Sequence, residues 1–89
     1  MNTKIEINSE VRSTAGKDGA VLLDLRKGVY YSLNGLGTRI WTEIEQGSTF
    51  HEIVNHLTGS FAVSPEQLSH DVKRFILDLE RKGLVRTSA

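Results

Sequence analysis

The run Val21-Leu22-Leu23-Asp24-Leu25-Arg26-Lys27-Gly28-Val29-Tyr30-Tyr31-Ser32-Leu33-Asn34 constrains the fold more than any other stretch of the chain. Val21, Leu23 and Leu25 alternate with less apolar neighbours, and Val29, Tyr31 and Leu33 do the same. A period of two belongs to strands with one buried face. Arg26-Lys27-Gly28 fits a three-residue turn, with Gly28 in the left-handed conformation that side chains resist. That turn sets Leu25 opposite Val29, Leu23 opposite Tyr31 and Val21 opposite Leu33, all on one face. The expectation is a β-hairpin running directly into a helix, its second strand presenting an open edge.

Upstream, residues 1–19 are polar with few apolar anchors. Ile5 and Ile7 alternate and Val11 begins another short extended run, so one or two edge strands are expected here, and the first strand of a three-stranded sheet is drawn from within residues 4–14. Gly16-Lys17-Asp18-Gly19 is a turn cluster leading into the hairpin. Past Leu33 the period changes. Leu36, Ile40, Trp41 and Ile44 recur at helical spacing until Gly47. Thr49 with Glu52 three residues on is a capping box, and Phe50, Ile53, Val54 and Leu57 form one apolar face behind it. Phe61 and Val63 are expected to seal the next connection. Ser64-Pro65-Glu66-Gln67 is a strong helix start, with serine at the cap and proline at the first helical position. Leu68, Val72, Phe75, Ile76 and Leu79 continue as a stripe along a helix of roughly five turns. Gly83 suits a left-handed C-terminal position, with Leu84 folding back onto Leu79. The predicted fold is α+β: one domain over residues 1–89, a three-stranded antiparallel sheet packed against three helices, winged-helix-like in outline.

Composition narrows the function. Eighty-nine residues allow one modest core. The absence of cysteine removes disulfides and thiolate metal sites. Eleven basic residues balance eleven acidic ones, which argues against general affinity for nucleic acid or anionic membranes. The N-terminus lacks the apolar core of a signal peptide, and no apolar run approaches membrane-spanning length, so a cytoplasmic protein is expected.

Catalytic and metal motifs fail on spacing. His51-Glu52 with His56 resembles a zinc-protease pattern, but positions i and i+5 diverge by about 140° around a helix. Gly35-Leu36-Gly37 follows a strand and opens a helix, yet Ile40 stands where a third glycine would complete a phosphate loop. Gly37 is better read as permitting close packing. The charges of the third helix fall into Arg74–Asp78 and Asp78–Lys82 pairs at i,i+4. No enzyme, metal site or cofactor is expected. What remains is surface. Asp71, Phe75, Asp78 and Lys82 share one shoulder of the third helix, with Phe75 at the core edge. Tyr30 and Tyr31 point to opposite faces of their strand, Tyr31 inward and Tyr30 outward. A partly exposed tyrosine beside open backbone groups suits an extended peptide. Leu77, opposite the core stripe, is an exposed leucine.

The series from Val21-Leu22-Leu23-Asp24 through Tyr30-Tyr31-Ser32-Leu33-Asn34, Gly37, Ile40-Trp41 and Gly47-Ser48-Thr49 resembles the PqqD-like family. Asp71-Val72, Phe75 through Leu79 and Gly83-Leu84-Val85 continue the match. The stand-alone members of lasso-peptide gene clusters are the most similar. The resemblance implies a recognition element for ribosomally made, modified peptides. Such elements bind the leader segment of a precursor as an added strand, in the cleft between the third strand and third helix. It further implies a separate leader protease, a cysteine enzyme of transglutaminase-like fold, as partner. Carried over by position, the edge strand Val29, Tyr30, Tyr31, Ser32 and Leu33 supplies backbone hydrogen bonds. Leu23, Tyr31 and Phe75 form side pockets, and Arg74 or the aspartates Asp71 and Asp78 fix register. Two other functions stay open at the level of sequence. One is a winged-helix DNA-binding protein, which needs a basic recognition surface that residues 50–57 lack. The other is a structural subunit pairing its sheet edge in a homodimer.

Overall fold

A computed structural model of the chain describes residues 3–16 and 18–88. Four strands come first: β1 (Lys4–Ile7), β2 (Val11–Gly16), β3 (Gly19–Asp24) and β4 (Val29–Leu33). Three helices follow, α1 (Gly35–Glu45), α2 (Phe50–Leu57) and α3 (Pro65–Arg81), and β5 (Val85–Ser88) comes last. Strands β2, β3 and β4 form an antiparallel sheet in that order, while β1 and β5 form a separate two-stranded ladder. The α+β architecture of a three-stranded sheet and three helices is the expected one.

The interval 4–14, expected to hold one sheet strand, splits into two. β1 pairs with β5, and β2 joins the sheet and runs on to Gly16. β5 escaped notice because four residues, Val85-Arg86-Thr87-Ser88, are too few to display a period. It forms because the end of α3 throws the chain back along β1. Gly83 (φ +76°) donates to Glu80 O at 3.0 Å, and Leu84 donates to Leu79 O at 2.9 Å, a Schellman closure. The predicted reversal over 16–19 joins β2 to β3; Lys17 within it lies outside the described residues.

The hairpin is where predicted, with Gly28 at φ +65°, but its register is shifted by one residue. Asp24 pairs with Val29, Leu23 with Tyr30, Leu22 with Tyr31, Val21 with Ser32 and Ala20 with Leu33. A one-residue slip exchanges the faces of a strand. Ala20, Leu22 and Asp24 are therefore buried, while Val21, Leu25 and Val29, expected inside, are exposed. The cause is Asp24. Its carboxylate accepts from the Arg26 backbone N–H at 3.0 Å and from Arg26 Nε and Nη2 at 3.2 and 3.0 Å. An apolar/polar alternation scores an aspartate as solvent-facing; a satisfied and paired one is at home inside.

The helices begin and end as their capping residues dictate. The Asn34 side chain accepts from Gly37 N at 2.7 Å to start α1. The Thr49 hydroxyl accepts from Glu52 N at 3.3 Å while Glu52 accepts from Thr49 N at 2.9 Å, completing the box of α2. Ser64 Oγ accepts from Gln67 N at 3.1 Å before Pro65. Ile40, Trp41, Ile53, Leu57, Val72 and Leu84 lie at the centre of the core. Phe61 packs against it, but Val63 is exposed and seals nothing. Beneath the helices, Glu43 accepts from Ser48 Oγ at 2.8 Å and lies 2.7 Å from His56 Nδ1. Burial pushes the Glu43 carboxyl up, but the hydrogen bonds from His56 and Ser48 outweigh it and hold the group below its ordinary range. His56 thus serves as a tie between α1 and α2.

Candidate functional site

Only one side of β4 is paired: β3 covers the inner edge, and no described strand lies along the outer one. The N-terminal segment does not fill the place, because β1 is engaged by β5 and Thr3 O accepts from Phe50 N at 3.0 Å. In an antiparallel strand every second residue turns its N–H and C=O away from its partner, so this flank offers free donors and acceptors. The backbone of β4 packs against β3 and α1, whereas α3 packs chiefly against α2 and β5 and stands off from it.

A trough of about 420 Å³ lies between α1 and α3 at the end of β4. Asn34, Leu36, Gly37 and Ile40 line it on one side, with Asp71, Arg74, Phe75, Asp78 and Arg81 on the other. The α3 residues recur at intervals of three and four, one stripe along the helix. At one end the Phe75 ring rests on Gly37, where an added Cβ would stand 3.0 Å from the ring. Glycine here lets the helices approach. At the other end Lys82 pairs with Asp78, and its Nζ lies 5.6 Å from the centre of the Tyr31 ring.

The hairpin loop is fastened to the same helix end. Arg26, besides holding Asp24, donates from Nη2 to Gly83 O at 2.9 Å, and Lys27 Nζ donates to Lys82 O at 3.3 Å. Cations at the exposed carbonyls of a helix C-terminus are favourably placed. The side-chain hydrogen bond from Arg26 outweighs the opposing effect of burial and holds the Asp24 carboxyl below its ordinary range; the same bond raises Arg26. The hairpin loop is therefore held against the C-terminal end of α3 by an arginine whose ion pair with Asp24 also closes the turn.

Of the residues singled out from sequence, Asp71, Arg74, Phe75 and Asp78 meet in the trough. Tyr31 and Leu33 are half-buried on the inner face of β4, and Tyr30 and Ser32 are exposed on the outer face. Val29 shares the inner face at the exposed end of the strand. Leu23 is the correction. It pairs with Tyr30 and so lies on the face away from Tyr31, where it cannot wall a shared pocket. Arg81, Asn34, Leu36, Gly37 and Ile40 were missed as site residues. Arg81 is three residues beyond Asp78 on the same stripe, a signal that was present in the spacing. The α1 residues became legible only once Phe75 was seen to face Gly37.

Among the described residues no group of His, Asp and Glu side chains is gathered for a metal ion, and no helix is long and apolar enough to cross a membrane. His51 and His70 are exposed.

Residues 19–85 match the family model described as coenzyme PQQ synthesis protein D (PqqD). No curated protein matches the chain. Among solved structures, TbiB1 in complex with the TbiA(beta) leader peptide is 32% identical with a TM-score of 0.86, covering 91% of this chain and 94% of that one. A lasso peptide synthetase B1 complexed with its leader peptide is 23% identical with a TM-score of 0.83, covering 92% of this chain and 96% of that one, a likeness of fold.

Proposed function

From the premise that the chain belongs to the PqqD family, we propose that it is a leader-peptide recognition element that binds by strand addition to β4. The observation that carries this reading is the unpaired β4 edge, with the trough between α1 and α3 opening where that strand ends. An extended peptide laid there takes its sequence-independent hydrogen bonds from the backbone of Val29, Tyr30, Tyr31, Ser32 and Leu33. Its inward side chains meet Tyr31, Phe75 and the apolar part of α1, while Asp71, Arg74 and Asp78 set its register. The relative TbiB1, at 32% identity, is a leader-peptide complex, which supports the same ligand class here.

The protein works by holding a peptide and makes or breaks no bond itself. It needs no cofactor, and it delivers the leader to a separate cysteine protease of transglutaminase-like fold, within lasso-peptide biosynthesis in the cytoplasm. The runner-up, a winged-helix DNA-binding protein, draws little from the charge pattern. Residues 50–57 carry no lysine or arginine, and the cations of α3 are interleaved with Asp71, Asp78 and Glu80. We likewise read residues 1–89 as a single recognition domain.

The test is titration of the ¹⁵N-labelled protein with a synthetic lasso-peptide precursor leader. Amide shifts and new exchange protection are expected in β4 and along the Asp71–Asp78 face of α3. Shifts confined to α2, or tight salt-sensitive binding of duplex DNA, would defeat the reading.

A further inference from the structure

The charges lining the trough are unequally satisfied. Asp78 is neutralised by Lys82, and Asp71 accepts from Gln67 Nε2 at 2.8 Å. Arg74 and Arg81 are exposed and take part in none of the ion pairs among the described residues. The apolar part of the trough is Phe75 on the α3 side facing Leu36 and Ile40 on the α1 side. The wall therefore offers two guanidinium groups without a carboxylate, flanking a greasy centre.

Resting on the strand-addition reading, we infer that the trough selects an extended peptide carrying an acidic side chain two residues from an apolar one. The apolar group packs on Phe75 and the carboxylate pairs with Arg74 or Arg81. The spacing follows from the two repeats. Phe75 and Arg81 are six residues apart, about 9 Å along a helix at 1.5 Å per residue. Two residues of an extended strand span about 6.7 Å and bring both side chains to one face. The arginine side chain closes the remaining distance. Arg74, next to Phe75 in sequence, serves a carboxylate on the other side of the apolar group. The planar guanidinium fork matches a carboxylate in two parallel hydrogen bonds, which a primary amide of the same shape cannot answer with charge.

The probe is a displayed library of random sixteen-residue peptides, selected on the full chain. The enriched peptides are then resynthesised with each Glu or Asp replaced by Gln or Asn. Enrichment of an acidic residue two positions from an apolar one is expected, with amide replacement weakening binding about threefold per site. The R74Q/R81Q double variant should lose up to about tenfold for the acidic peptides and should no longer distinguish them from their amide analogues. Both arginines are exposed, so the variant keeps its fold, and an unchanged amide exchange pattern checks this. Peptides that protect β4 amides yet show no acidic preference overturn the inference and leave strand addition standing. If no selected peptide protects β4, strand addition itself fails and the inference with it.

Discussion

Ser13 on β2 and Tyr31 on β4 flank Leu22 in one row across the sheet, and Arg12 and Tyr30 flank Leu23 in the next. The two outer strands thus share a central neighbour and the same exposure of backbone, but they carry different chemistry. On β2 the side chains are spent on the protein itself. Ser13 Oγ donates to Glu45 Oε2 at 2.7 Å, and Arg12 Nη1 donates to Ser9 O at 2.7 Å and Val11 O at 3.2 Å. Charge and local ties of this kind discourage another strand from docking. On β4 no residue is charged, and two tyrosines stand where β2 has a serine and an arginine. The difference teaches that edge protection is applied strand by strand. One flank carries a charge and side-chain ties to the protein itself, and the other carries neither, which is the contrast the strand-addition reading rests on.

The largest expected effect concerns what the two edges share. Leu22→Ala, emptying the fully buried centre of the row, should destabilise the fold by about 3 kcal/mol in urea titration, whereas Leu23→Ala should cost less than about 1 kcal/mol. The reverse order would restore the register expected from sequence, with Leu23 rather than Leu22 opposite Tyr31 on the buried face. Next comes the contrast between the edges themselves. Tyr31→Ala should weaken leader binding by about 2 kcal/mol, roughly thirtyfold, by calorimetry, as loss of an aromatic anchor does. Ser13→Ala should leave binding unchanged and shift stability by no more than about 0.5 kcal/mol. A loss of binding with Ser13→Ala would mean that β2 is the receptive edge.

The last effect is absent at neutral pH. Asp24 has a folded-state pKa below its ordinary 3.8, so its contribution is full above that value and is lost as pH falls through the depressed folded value. Acid titration should therefore unfold the parent more steeply below pH 3.8 than Asp24→Asn, which has no such carboxyl and should already be less stable at pH 7. Because Asp24 closes the β3–β4 turn, exchange protection in that hairpin should fall before that of the β2–β3 pairing.

Most of the helical half was legible in the sequence, since Thr49, Ser64, Pro65 and Gly83 act on their immediate neighbours. Their effects need no knowledge of the tertiary fold. The sheet half was legible in outline only. The alternation in residues 21–33 identified two strands and their turn, but two registers satisfy such a pattern nearly equally. The choice between them rests on Asp24 gaining Arg26, an ion pair that alternation does not weigh. β5 depends on β1 at the other end of the chain, and its four residues have too little apolar pattern to announce themselves. In the site, the α3 stripe of Asp71, Phe75 and Asp78 followed from helical spacing, and Arg81 was within reach of the same argument. The opposing wall from Asn34 to Ile40 did not, because nothing local says which helix Phe75 will meet.

Arg26 joins the loop of the hairpin to the last carbonyls of α3 through one side chain that also neutralises Asp24. The hairpin and the last turn of α3 are consequently one joined unit in the free protein. On the strand-addition reading, a peptide arriving at β4 meets that unit already assembled, and most of the ordering on association falls on the peptide.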